Sequence, residues 1–128
     1  MNRNDMKLIF QISFKVAKAD RVIEGYEKEI LERFKEVLEI NDLQAAEILD
    51  ENISIESAIR NLSDQKSQEM LIKTMCALAF ADGVRYEEEI NMVQKANEQI
   101  NTPLDLIPWE HWEHYVEETS DALKYWKP

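Results

Sequence analysis

With 128 residues, 45% apolar and 32% charged, the chain is long enough to bury a core without staples and too apolar to stay disordered. A formal net charge of -11 disfavours nucleic acid and anionic membrane as partners; by sign it favours a cation, a basic peptide or a basic protein surface. Only two glycines and three prolines break the chain, which points to helices joined by short turns.

A first helix is expected from Asp5, as N-cap, to Ala19. Met6, Ile9, Phe10, Ser13, Phe14 and Ala17 make its inward stripe. Asp20 to Gly25 turns the chain into a second helix reaching Ile40, with Ile30, Leu31, Phe34, Val37 and Leu38 inward. Lys28, Glu32, Lys35, Glu36 and Glu39 form its solvated face, at spacings that allow ion pairs. Asn41-Asp42 caps a short helix over Leu43 to Leu49, and Ser54 starts another with Ile55, Ala58, Ile59 and Leu62 packing. This middle part joins two halves.

Ser63 or Asp64 caps a fifth helix lined by Met70, Leu71, Thr74, Met75, Leu78 and Ala81. Cys76 and Ala77 widen that stripe, so the helix should be central and buried on much of its circumference. Asp82-Gly83 turns the chain into a sixth helix, Tyr86 to Ile100, with Ile90, Val93, Ala96, Asn97 and Ile100 on one face. Asn101-Thr102-Pro103 is a breaker, Leu104 to Ile107 a single turn, and Pro108 suits the first position of a last helix reaching Trp126. Trp109, Trp112, Val116, Thr119 and Leu123 should close the core, leaving Glu110, Glu113, Glu117, Glu118 and Asp121 to solvent. No stretch reads as a strand. The expected fold is all-α, about seven helices in one domain over residues 1–128.

Cys76 is the sole cysteine, which rules out a disulfide within the chain and fits a reducing, cytoplasmic setting. The first five residues lack the apolar segment of a signal peptide. The longest apolar run, Met75 to Ala81, is too short to cross a bilayer, so no transmembrane segment is expected.

One stretch occurs twice. Ala17, Ala19, Asp20, Val22 and Glu27 align without a gap on Ala79, Ala81, Asp82, Val84 and Glu89. Each copy reads as the end of one helix, a turn begun by the Asp, and a second helix carrying the Glu. If the copies pack as a pseudo-twofold pair, Asp20, Glu27, Asp82 and Glu89 converge. Four carboxylates that close need a raised pKa or a compensating cation, and calcium or magnesium with oxygen ligands is the simplest. The same residues also suit plain capping, since Asp20 and Asp82 can cap the next helix and the glutamates favour its positive N-terminal end. Gly83 and Glu89 have the spacing of an EF-hand loop. Its earlier ligand positions would fall on Leu78 and Phe80, which cannot coordinate calcium, so an EF-hand is excluded.

Two Ala-Asp-x-Val turns, each followed by a Glu in a helical chain of this size, resemble the tellurite-resistance TerB-like family. The pattern spans Phe10 to Ile100, and Ala81-Asp82-Gly83-Val84 is its better copy. The resemblance implies an all-helical domain whose acidic cluster binds metal at Asp20, Glu27, Asp82 and Glu89. It also implies a role in stress response or as an interaction module rather than catalysis. Arg21 stands where the second copy has Gly83, and an arginine there can neutralise the acids itself. Glu24, Glu87 and Glu88 are spare ligands or surface charge.

His111 and His114, one helical turn apart, are a weaker candidate pair for zinc. Cys76, inside an apolar stripe, reads as an inert buried thiol, and nothing in the chain demands an enzyme. The alternative function is a protein-interaction module docking a basic partner on an acidic face, with Trp109 or Trp126 as an anchor if exposed.

Overall fold

Each of the seven expected stripes is a helix in the computed structural model, which describes residues 1–17, 25–80, 87–106 and 110–126. They are α1 (Arg3–Ala17), α2 (Tyr26–Leu38), α3 (Asp42–Asp50), α4 (Ile55–Asn61), α5 (Gln65–Phe80), α6 (Glu87–Gln99) and α7 (His111–Tyr125). No strand occurs among the described residues, and none of their helices is long and apolar enough to cross a membrane.

Capping chemistry sets most of the starts. The Asn41 side chain accepts from the Gln44 backbone N–H while the Gln44 side chain accepts from the Asn41 N–H, a reciprocal capping box. Ser54 accepts from the N–H of Ser57, and Asp64 from the N–H of Ser67 at 2.8 Å. The first helix differs from expectation. Asn2, not Asp5, is its cap: Asn2 Oδ1 accepts from the Asp5 N–H and Asp5 Oδ2 from the Asn2 N–H, both at 2.9 Å. Asp5 thus sits inside the first turn of α1 and has a further task. It is fully buried, and its carboxylate accepts from the Ser63 N–H at 2.9 Å and the Ser63 hydroxyl at 2.6 Å. Burial on its own raises the Asp5 carboxyl, but the Ser63 hydroxyl and the Asn2 and Ser63 N–H groups outweigh it. They hold the group below its ordinary value.

Residue 39 closes α2 in the left-handed conformation, φ 55°, where its N–H meets the carbonyls of Lys35 and Glu36. Leu104 to Leu106 forms no helical turn, and Ile107, the last residue of the expected single turn, lies outside the described residues. The buried Asn97 side chain holds Leu104 at both main-chain groups, donating to its carbonyl (2.8 Å) and accepting from its N–H (2.9 Å), as a strand partner would. Pro108 and Trp109 lie outside the described residues, where α7 was expected to start; its described part begins at His111.

The hydrogen bonds between elements fix their relative directions. Asp5 and Ser63 join the start of α1 to the start of α5, and these two helices pack along each other. Arg3 donates to the Leu38 carbonyl, so α2 returns to where α1 began. Gln68 accepts from the Asn101 N–H at 3.0 Å and Gln65 from the Thr102 hydroxyl at 3.1 Å, so α6 returns to where α5 began. The bundle therefore has a base, where α1 and α5 start and α2 and α6 end. At its opposite end α2 and α6 begin. α7 covers α5 and α2, with Tyr26 of α2 hydrogen-bonding the Val116 carbonyl and the Ser120 hydroxyl, each at 3.2 Å.

The core is one cluster drawn from every helix. α5 is buried on most of its circumference, from Met70 to Ala79 with Lys73 the exception, as its widened stripe predicted. Phe10, Phe14 and Phe34 interlock between α1 and α2, with ring centroids 5.2 to 6.3 Å apart. Trp112, 1% exposed, closes the far side and donates its indole N–H to the Leu106 carbonyl at 3.0 Å. The expected acidic face of α7 (Glu110, Glu113, Glu117, Glu118 and Asp121) is exposed, and Glu118 reaches Lys73 at 3.1 Å.

A polar seam that periodicity did not reveal fastens the middle segment to α1. Arg3, Lys7, Gln11 and Lys15 recur every four residues, hence on one face. Arg3 donates to the Leu38 carbonyl, Gln11 to the Ile48 carbonyl and Glu51, and Lys15 to the Ile53 carbonyl.

Candidate acidic site

Glu27 and Glu89 occupy matching places. Each lies in the first turn of a helix that returns along its hairpin partner, α2 and α6 respectively, and each is buried, 4% and 6% exposed. First-turn acids are usually solvated, as Glu29, Glu87 and Glu88 are here. A buried carboxylate costs several kcal/mol unless hydrogen bonds, the helix dipole or an opposite charge offset it. Both glutamates do take part in hydrogen-bonding or electrostatic interactions. Because α1 and α5 run side by side in the same sense, Glu27 and Glu89 stand at the same end of the bundle, away from the base.

Three aligned positions of the two copies are buried in both. Glu27, Phe34 and Leu38 are buried in α2, and their aligned positions Glu89, Ala96 and Ile100 are buried in and after α6. The match is not complete: Ile30 is buried where the aligned Met92 is half-buried. Gly25 precedes α2 with φ 59°, a left-handed conformation that a glycine adopts without strain. The α2 start is further anchored by Tyr26, whose hydroxyl is pushed up from its ordinary pKa by burial, an effect larger than the opposing hydrogen bond to Ser120.

The other two acids of the candidate set, Asp20 and Asp82, lie outside the described residues, as do Arg21 and Glu24. Among the described residues, no group of three or more His, Cys, Asp or Glu side chains is placed to share a metal ion. His111 Nδ1 lies 3.7 Å from Asp105, and His114 is exposed on the acidic side of α7.

Cys76 is fully buried, and burial pushes its thiol well above the ordinary range. Only the thiolate attacks, so this sulfur is inert in the folded protein. In native buffer Cys76 should leave an aromatic disulfide reagent unreacted for hours and titrate one thiol per chain after urea is added. Rapid native reaction would show that α5 opens far more readily than its packing implies.

Residues 43–104, just under half of the chain, match the family model described as Tellurite resistance protein TerB. The matched stretch runs from α3 past α6, so it contains Asp82 and Glu89 and begins after Asp20 and Glu27. Among curated proteins and among solved structures, nothing matches the chain. The all-α architecture agrees with that match, and the stretch from α3 past α6 is similar to the TerB family.

Proposed function

We propose that this is a non-catalytic, stress-response-type TerB-like domain in which Asp20, Glu27, Asp82 and Glu89 hold a divalent cation, calcium or magnesium. The observation that supports this reading is the pair of buried glutamates opening α2 and α6 at one end of the bundle. Two carboxylates withdrawn from water at aligned positions, each a short way along the sequence from an Asp, form the donor set that a hard cation selects. The family match, which covers the second copy, supports the TerB-like part of this reading.

A cation that binds the folded state alone stabilises it by about 2.7 kcal/mol at a hundredfold excess over its dissociation constant. Thermal melting in rising calcium or magnesium should therefore raise Tm by several degrees. Glu89→Gln and Asp82→Asn should each abolish the rise. Asp82→Asn with an unchanged metal response would remove Asp82 from the site, and no response from the parent protein would remove the metal.

The exposed acids along α7 favour a second reading, a docking face for a basic protein. It predicts no metal effect and partner capture that weakens with salt.

A further inference from the structure

At the base of the bundle, remote from Glu27 and Glu89, a pocket of about 260 Å³ opens between α1, the end of α2 and α3. Leu38, Ile40 and Ile48 supply its apolar walls, and Arg3, Asn4 and Lys7 stand along one side. Its lining contains two cations and no acid, in a chain that carries 26 acids against 15 Lys and Arg. We propose that this pocket binds a linear aliphatic monocarboxylate of about six to eight carbons.

The two ends of such a ligand answer the two kinds of wall. Arg3 and Lys7, four residues apart on α1, project from one helix face, and a like-charged pair at that spacing repels unless an anion lies near. The acids now beside them are poor fixtures. Glu39 lies 3.8 Å from Arg3 and is 82% exposed, while Glu51 lies 3.7 Å from Lys7 and is 55% exposed. Pairs of that kind contribute about 0–1 kcal/mol and exchange readily. Among the described residues Lys7 donates to no backbone carbonyl, unlike the rest of the α1 seam, so its ammonium can turn from Glu51 to a ligand. The guanidinium of Arg3 spends one arm on the Leu38 carbonyl and keeps further donors for a carboxylate.

Size limits the tail. At about 30 Å³ for each water-sized group, the pocket holds about eight or nine such groups, a carboxylate with a short chain. The chain would cover Leu38, Ile40 and Ile48, and a longer one would have to leave the pocket.

Methyl NMR shifts of Ile40 and Ile48, followed during titration with octanoate, test this. Acetate and 1-octanol serve as controls lacking the tail and the charge. Octanoate is expected to shift these methyls at sub-millimolar to millimolar concentration, each control at least tenfold more weakly, and added salt should weaken binding. Lys7→Gln, a change at a half-buried position that leaves Arg3 on α2, should weaken octanoate at least tenfold with the far-ultraviolet dichroism unchanged. Equal binding of octanoate and 1-octanol, indifference to Lys7→Gln, or no shift at all would each overturn the proposal.

Discussion

Phe10→Ala is expected to remove about 3–5 kcal/mol of folding stability, the range for emptying a buried aromatic site. The ring is fully buried where α1 meets α2. It stacks on Phe34 at 5.2 Å and 29°, and meets Phe14 edge-on at 5.4 Å and 64°. Such pairs add about 0.5–1.5 kcal/mol beyond the area they bury. Phe14 and Phe34 also meet each other edge-on, at 6.3 Å. Domains of this size are stable by about 5–15 kcal/mol, so the variant would lose a large part of the total. Urea unfolding read by far-ultraviolet dichroism measures it, and the slope with urea should not change. Phe10→Leu, which keeps most of the volume, should lose less than half as much. A loss below about 1 kcal/mol for the alanine variant would mean that the three rings do not form one unit.

Asp5→Asn should cost about 3 kcal/mol at neutral pH, although it changes a single atom. The carboxylate accepts from the Asn2 N–H, the Ser63 N–H and the Ser63 hydroxyl. An amide turns one acceptor into a donor facing a donor, and each buried group left unpaired costs about 1–3 kcal/mol. The pH dependence carries the sign of a lowered carboxyl. The Asp5 contribution is fully present above the unfolded value of about 3.9 and disappears as pH falls through the lower folded value. The gap in urea midpoint between parent and variant should therefore be widest near neutrality and close in strong acid. A gap that keeps its width in acid would show that the charge contributes nothing there.

Helix count, order and the central place of α5 were legible because apolar residues recur at helical spacing without interruption from Met70 to Ala79, and because Asn41, Ser54 and Asp64 are strong cap residues. The start of α1 was misjudged by three residues. Asn2 and Asp5 are both good caps at this spacing, and only the partner Ser63, far along the chain, shows which role each takes. Asn97 was read as one more inward position, whereas its amide replaces a missing ladder for Leu104. Of the acidic set, the repeat singles out Glu27 and Glu89, and both are buried. Periodicity could not have shown that burial, since the first turn of a helix is normally wet. The pocket beside Lys7 was not legible at all, because its walls come from three elements brought together by carbonyl acceptors that carry no side-chain signature. A recurrence of long polar residues at positions 3, 7, 11 and 15 was the available hint.

The clamp that Asn97 places on Leu104 has a mechanical consequence. Two residues later, the Leu106 carbonyl receives the indole of Trp112, so α7 hangs from α6 through a short tether although it lies chiefly on α5 and α2. The tryptophan that seals one flank is thus levelled by a helix on another. The second hairpin and the helix that seals the far flank therefore share an anchor besides their common packing on α5.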